Sequence, residues 1–324
     1  MANKNLIKPL QIGPVKLKNP LILAPMVDVT DSAFRQLCIE QGAALTFTQM
    51  LYTSQIIHEN KKTKQLMQFS KKERPIGIQI TGNSLDEFKS CIPYLKPYDI
   101  IDINCGCPSM RITGNEAGSF LLKNPDKIAG IIKLLKSAFP KKAVTAKIRL
   151  GFKTNNVLKI AKTIESAGAD AITLHPRLAT DGSSVPADWS QIAKLASSLK
   201  IPVIGNGDIF SGPDTERMLK STGCDAVMIA RGAIGDPTIF SRILHYLKKG
   251  EEPPRNQREN LHLFLKYLKL SKSLKTQNLR RTKYLGMQFI RAVPNAPKLR
   301  AEFSKLSSIK EIESFTKSLL KTIK

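Results

Sequence analysis

Residues 100–114 read "IIDINCGCPSMRITG". The apolar run carries a buried-looking aspartate, Asp102, and reaches Asn104 before Gly106 and Pro108 end any strand, so a short strand is expected to finish in a loop. The same plan recurs outward in both directions. The runs "LILAPMV" (21–27), "LTFTQM" (45–50), "PIGIQITG" (75–82), "AVTAKIRLG" (143–151), "AITLHPR" (171–177), "PVIGNGDI" (202–209) and "DAVMIARG" (225–232) each have the length of a buried parallel strand. Between most of them lie amphipathic helical patterns such as "SLDEFKSCIPYLK", "NPDKIAGIIKLLKSAF" and "NNVLKIAKTIESAG". The gap at 51–74 is polar and less clearly helical. Eight β units with helices between them predict an α/β fold, a (β/α)8 TIM barrel, rather than an open dinucleotide-binding sheet. No G-x-G-x-x-G follows the first strand, which agrees.

The strand pattern stops near residue 255. "RNQRENLHLFLKYLKLSKSL", "NLRRTKYLGMQFIRAV", "APKLRAEFSKLSS" and "IKEIESFTKSLLKTIK" repeat apolar residues at helical spacing on a basic background. The expected organisation is a barrel over 1–245, a linker over 246–254 containing "GEEPP", and a small all-helical C-terminal domain over 255–324. The chain has 51 Lys and Arg against 26 Asp and Glu, a formal charge of +25. Residues 241–324 hold 20 of the basic and 6 of the acidic residues, a net +14, and the longer remainder holds only +11. A polyanion-binding tail on a more neutral body is the simplest account, with nucleic acid the commonest such partner. The other reading is a generally lysine-rich proteome.

No run of about 18 apolar residues exists, and the first 20 residues have no apolar leader core, so a soluble, cytoplasmic protein without a membrane partner is expected. Five scattered cysteines fit reduced thiols. Cys105 and Cys107 have no second pair or nearby histidine to complete a zinc site, so no metal is expected. A three-residue disulfide would be strained. Because Gly106 and Pro108 end the strand, Cys105 is expected to pack at its end and Cys107 to lie in the loop over the barrel mouth. There an accessible thiol suits nucleophile or general-acid work, or is simply structural.

The other strand ends gather chemistry of their own: Pro25-Met26, Gln49, Gln79, Asn104, Lys147 with Arg149, His175, Asn206-Gly207-Asp208 and Ala230-Arg231-Gly232. In a barrel such positions share one mouth. "GNGD" and "ARGA" have the composition of a phosphate cradle, or of two ordinary turns. Lys147 is placed either to stabilise negative charge on a flavin or to snorkel from a strand end. His175 is read as a ligand contact or a hydrogen-bonded core residue.

"LILAPMVDVTDSAFRQLCIEQGA", "DINCGCPSMRITGNEAGSFLLKNP", "AKIRLGF", "ITLHPR", "ADW", "IPVIGNGDI" and "GCDAVMIARGAIGDPTIF" together resemble the tRNA-dihydrouridine synthases, in order from about residue 6 to 245 and weakly beyond. The resemblance implies an FMN-binding barrel whose flavin is reduced by NADPH, or NADH, and then reduces the C5–C6 bond of a uridine in tRNA. It implies that Pro25, Met26 and Val27 line the flavin, that Gln79 contacts its ring system, and that Lys147 meets flavin and substrate. Asn206, Gly207, Asp208, Ala230 and Arg231 would hold the phosphate end, with His175 at the flavin edge. Cys107 would be the general acid for C5, and Asn104, Arg149, Arg177 and Lys283 would serve the substrate. tRNA would be the partner, with no DNA, and a monomer suits that task.

Three departures from the family pattern stand out. Thr48-Gln49-Met50 replaces the usual Thr-Glu-Met, "HPR" replaces His-Gly-Arg, and "TKYLGMQF" replaces a more aromatic run, with Lys283 kept but Tyr284, Met287 and Gln288 different. The rival readings are a flavin enzyme of free pyrimidines, which leaves the basic tail without a task, and a non-catalytic tRNA-binding barrel, which leaves Cys107 and Lys147 without one.

Overall fold

The computed structural model describes residues 6–323. A short hairpin of β1 (Leu10–Ile12) and β2 (Val15–Leu17) comes first. Then follow β3 (Leu21–Leu23), β4 (Thr46–Phe47), β5 (Leu51–Tyr52), β6 (Ile76–Thr81), β7 (Ile100–Cys105), β8 (Ala143–Arg149), β9 (Ala171–His175), β10 (Val203–Asn206) and β11 (Ala226–Ile229). All but β5 form one parallel sheet in the order β3-β11-β10-β9-β8-β7-β6-β4, and β5 adds to β6 beyond β4. The two ends of that sheet meet: Leu23 N–H donates to Leu45 O at 2.9 Å and Ala44 N–H to Leu21 O at 2.8 Å. The expected eight-stranded barrel therefore closes, and it leaves no edge to protect.

Around the barrel run α1 (Ser32–Glu40), α2 (Thr53–Ile57), α3 (Lys61–Met67), α4 (Leu85–Leu95), α5 (Met110–Thr113), α6 (Pro125–Ala138), α7 (Val157–Ser166), α8 (Trp189–Ser198), α9 (Gly212–Thr222) and α10 (Ile239–Lys249). The polar gap at 51–74 holds the short β5, α2 and α3 rather than one long helix. Its weak periodicity in the sequence reflects this fragmentation.

Period-two alternation sorts every strand into an outer and an inner face. On β7, Ile101, Ile103 and Cys105 join the large core between barrel and helices, whereas Ile100 faces the lumen. Each fully buried Ile or Leu of that core contributes about 1.5–3 kcal/mol. Asp102 and Asn104 follow Ile100 on the lumen face, and the register sets Gln79 against Asp102, Asp102 against Thr145, and Asn104 against Lys147. At the opposite end of the lumen, Leu10, Ile12 and Leu17 of the hairpin pack onto Ala143, Ala171 and Ala226, whose small side chains leave room for the plug.

The tail forms α11 (Gln257–Ser273), α12 (Leu279–Phe289), α13 (Ala296–Lys305) and α14 (Ile309–Thr322), matching the four helical patterns of the sequence. α10 continues past residue 245 to Lys249 and stops at Gly250 in a left-handed cap, φ 85°. The helical core centres on Phe264, Phe289 and Phe303. Gly286 permits it, since a Cβ there would lie 2.2 Å from the Phe303 ring. This core is continuous with the outer core of the barrel. A buried ion pair also crosses the junction: Arg281 Nη2 lies 3.0 Å from Asp31 Oδ2, and Tyr267 donates its hydroxyl to the same oxygen at 3.2 Å. Asp31 caps α1 through Phe34 N–H at 3.0 Å, so one carboxylate fastens a barrel helix and the tail together. No helix among the described residues is long and apolar enough to cross a membrane.

Candidate active site

The mouth of the barrel is built from the last lumen-facing residue of each strand and the loop that follows it. Asp102 sits beneath it, 1% exposed, accepting from Thr145 Oγ1 at 2.7 Å and from Gln79 Nε2 at 2.7 Å. Gln79 Oε1 in turn accepts from Asn104 Nδ2 at 2.9 Å. Asn104 Oδ1 accepts the backbone N–H of Gly106 at 3.2 Å and of Cys107 at 2.9 Å. Burial raises the Asp102 carboxyl to about 6, against the two hydrogen bonds and the charge of Lys147.

The two cysteines separate as expected. Cys105 is fully buried on the helix-facing side, and burial, with Asp102 nearby, pushes its thiol far up. Cys107 is half-buried in the loop. Its carbonyl accepts from Ser119 N–H at 3.0 Å, so the loop is pinned on both sides of the thiol.

Lys147 lies between this loop and β9, and its ammonium has no hydrogen-bond or ion-pair partner among the described residues. Burial and Arg149 lower it to about 8, so it is mostly charged at neutral pH. Arg149 donates Nε to Gly106 O at 2.9 Å and Nη1 to Leu178 O at 2.7 Å, bracing the cysteine loop from the other side. Cys107 lies within electrostatic reach of both cations.

His175 ends β9. Arg177 Nη1 lies 2.8 Å from His175 Nε2, and a guanidinium can only donate, so Nε2 accepts and the ring proton sits on Nδ1. Burial and four surrounding cations, Lys147, Arg149, Arg177 and Arg231, push the ring down to about 2. It is a neutral hydrogen-bonding group and not an acid.

The cradle forms at the ends of β10 and β11. His175, Asn206, Gly207, Asp208, Ala230 and Arg231 line one cavity. Gly207 has φ +126° and passes so close to the His175 ring that a Cβ would lie 3.2 Å from it. Asp208, also left-handed at φ 55°, turns its carboxylate outward to Arg177 at 2.6 Å and Arg231 at 2.7 Å. Burial works against the charge of Asp208, but Arg177, the Ala187 N–H and Arg231 together hold its carboxyl below the usual range.

Next to the cradle, after β3, which pairs with β11, Pro25 and Met26 are half-buried and Val27 is 57% exposed. The loop is shaped by Met26 N–H to Thr30 Oγ1 at 3.0 Å and Asp28 N–H to Gln49 Oε1 at 2.9 Å. Gln49 Nε2 is buried and has no hydrogen-bond partner among the described residues. Most of the expected residues thus converge on one mouth. Lys283 stands apart on α12, in a shallow hollow with Leu279, Arg280, Tyr284 and Met287.

Two features were missed in the sequence. One is the support of Asp102 by Thr145, which the alternation "TAK" on β8 encodes. The other is a groove of ≈ 610 Å³ between barrel and tail, lined by Phe210, Arg231, Asp236, Arg255 and Arg291 among others. Its residues come from distant parts of the chain, and no local motif marks it.

Residues 22–324 match the family model described as dihydrouridine synthase. A tRNA-dihydrouridine synthase B of Shewanella oneidensis is 36% identical over 264 residues, covering 80% of this chain and 82% of that protein. A probable tRNA-dihydrouridine synthase of Aquifex aeolicus is 33% identical over 307 residues, covering 91% and 94%. Among solved structures, histamine dehydrogenase from Rhizobium sp. 4-9 superposes with a TM-score of 0.57 at 15% identity, over 83% of this chain and 51% of that one. The old yellow enzyme homologue of Zymomonas mobilis does so with 0.56 at 13%, over 86% and 98%. At these identities the structural matches speak for the barrel alone.

Proposed function

The chain belongs to the dihydrouridine synthase family, and from that premise we propose that it reduces the C5–C6 bond of uridine in tRNA with FMN as its resident cofactor. The observation that carries the reading is the unpartnered Lys147 ammonium, set at the mouth beside the Cys107 loop.

The donor set fits FMN. Lys147 supplies a free cation for the electron-rich edge of the ring, and Gln49 Nε2 is a buried donor without a partner. Arg231 lines the cavity of the cradle, where its guanidinium, which also pairs with Asp208, would meet a phosphate. Bound FMN, reduced by NADPH or NADH, supplies the hydride for C6 of the uracil.

The protein does the rest. Hydride addition at C6 leaves enolate character between C5 and the C4 carbonyl. Cys107 holds the proton for C5: its S–H bond breaks as the C5–H bond forms, and the electron pair stays on sulfur. Lys147 and Arg149 balance the thiolate that results, until solvent returns the proton. His175, neutral with its proton on Nδ1, offers a hydrogen bond without adding charge. A uridine in folded RNA must leave its stack to enter, at a cost of a few kcal/mol. Phosphate contacts from the +14 tail and the arginine-lined groove offset that cost.

The purified protein should bind FMN and turn yellow. Given NADPH, it should form dihydrouridine in tRNA, detected by mass spectrometry, with free uridine a poor substrate. Equal turnover of free uridine and tRNA would favour the pyrimidine-reductase reading, and failure to take up FMN would end both.

A further inference from the structure

Asp102 touches neither the mouth nor the thiol, yet three hydrogen bonds in series connect it to the backbone of Cys107. Each link fixes the orientation of the next. A buried carboxylate only accepts, so Gln79 must turn its NH2 toward Asp102 Oδ2, at 2.7 Å, and its oxygen away. That oxygen can meet only a donor, so Asn104 must point Nδ2 at it, at 2.9 Å, and turn Oδ1 toward the loop. Oδ1 then receives the N–H groups of Gly106 and Cys107. If either amide were flipped, a donor would face a donor and an acceptor an acceptor in a buried site.

Resting on the reading given above, we infer that Asp102 is a positioning residue, which sets the backbone at Cys107 through the ordered amides of Gln79 and Asn104. Thr145 completes the anchor by donating to the second carboxylate oxygen at 2.7 Å. Asn104, expected from the resemblance to serve the substrate directly, has both ends of its amide engaged in this chain and one Nδ2 hydrogen left over.

The test uses the full-length protein and two readouts. The first is the rate at which iodoacetamide alkylates Cys107 in the flavin-free protein, followed by mass spectrometry with buried Cys105 as the internal control. The second is single-turnover dihydrouridine formation on tRNA by the FMN-loaded, pre-reduced protein. Asp102→Leu removes the anchor and Asn104→Ala removes the last link. Each should change the alkylation rate severalfold and slow tRNA reduction by about a hundredfold, the cost of misplacing a reacting group by an ångström. NADPH-driven flavin reduction should change much less.

Because the links act in series, the double variant should be no worse than Asn104→Ala alone. Asp102→Asn should restore most of the loss: its carbonyl can face Gln79 while its NH2 meets the Thr145 hydroxyl, which accepts as well as donates. Should Asp102→Leu fail to fold, Asn104→Ala and Asp102→Asn still decide the matter. Additive losses, an unchanged Cys107 alkylation rate in Asn104→Ala, or an Asp102→Asn as impaired as Asn104→Ala would overturn the inference. A wild-type protein that forms no dihydrouridine would instead overturn the functional reading on which it rests.

Discussion

At the bottom of the barrel Ala143, Ala171 and Ala226 face the lumen, and the apolar hairpin residues Leu10, Ile12 and Leu17 fill the space they leave. Two to six residues later, on the same faces of β8 and β9, stand Thr145, Lys147, Arg149 and His175. The backbone is the same and so is the period. The lower layers lose water by packing hydrocarbon, whereas the upper layer keeps charged groups and supports them with hydrogen bonds. Stability is concentrated at one end of each strand and chemistry at the other, as a closed parallel barrel allows.

The sharpest way to break that division is Cys107→Ala. It should slow dihydrouridine formation by about 10²–10⁴-fold, the range for losing a positioned acid, while FMN binding, flavin reduction by NADPH and the melting temperature stay near wild type. A comparable loss of stability would show that the thiol belongs to the packing.

Leu17→Ala makes the opposite test at the bottom. Leu17 is 1% exposed, so its truncation should cost about 2–5 kcal/mol in denaturant unfolding and leave the flavin spectrum unchanged. A large fall in catalytic rate with little loss of stability would merge the two ends.

The pH profile probes the upper layer alone. Activity should fall as Lys147 loses its proton at about 8, whereas protonation of Asp102 at about 6 should change it little. The neutral carboxyl can still accept from Gln79 while its O–H meets the Thr145 hydroxyl, and the alkaline limb needs the ammonium. Lys147→Arg should remove the alkaline limb, because a guanidinium stays charged; a limb unmoved by that change would assign it to another group.

The smallest effect is expected away from the mouth. Lys283→Ala should weaken tRNA binding and lower the slope of log K against log salt by about 1, with flavin reduction untouched. An unchanged slope would remove Lys283 from the RNA surface.

Much of this architecture is legible in the linear chain. Eight apolar runs with helical patterns between them suffice for a closed α/β barrel, and residues two apart on one run must share a face, so Lys147 and Arg149 are neighbours by arithmetic. The separation of Cys105 from Cys107 follows from Gly106 and Pro108 ending the strand. The N-terminal hairpin is less visible, since two strands of three residues carry little periodic signal.

The pairings that only folding creates are of another kind. The union of Asp31 with Arg281 joins positions 250 residues apart, and Gln79 reaches Asn104 because β6 and β7 happen to be in that register. Residue types and their alternation determined the barrel, its mouth, and which side chains face inward, because backbone geometry has a fixed period. Which of those side chains hold one another, and which, like Lys147, have no hydrogen-bond or ion-pair partner among the described residues, was decided by strand register and domain packing, since contact across strands depends on distances that no local spacing encodes.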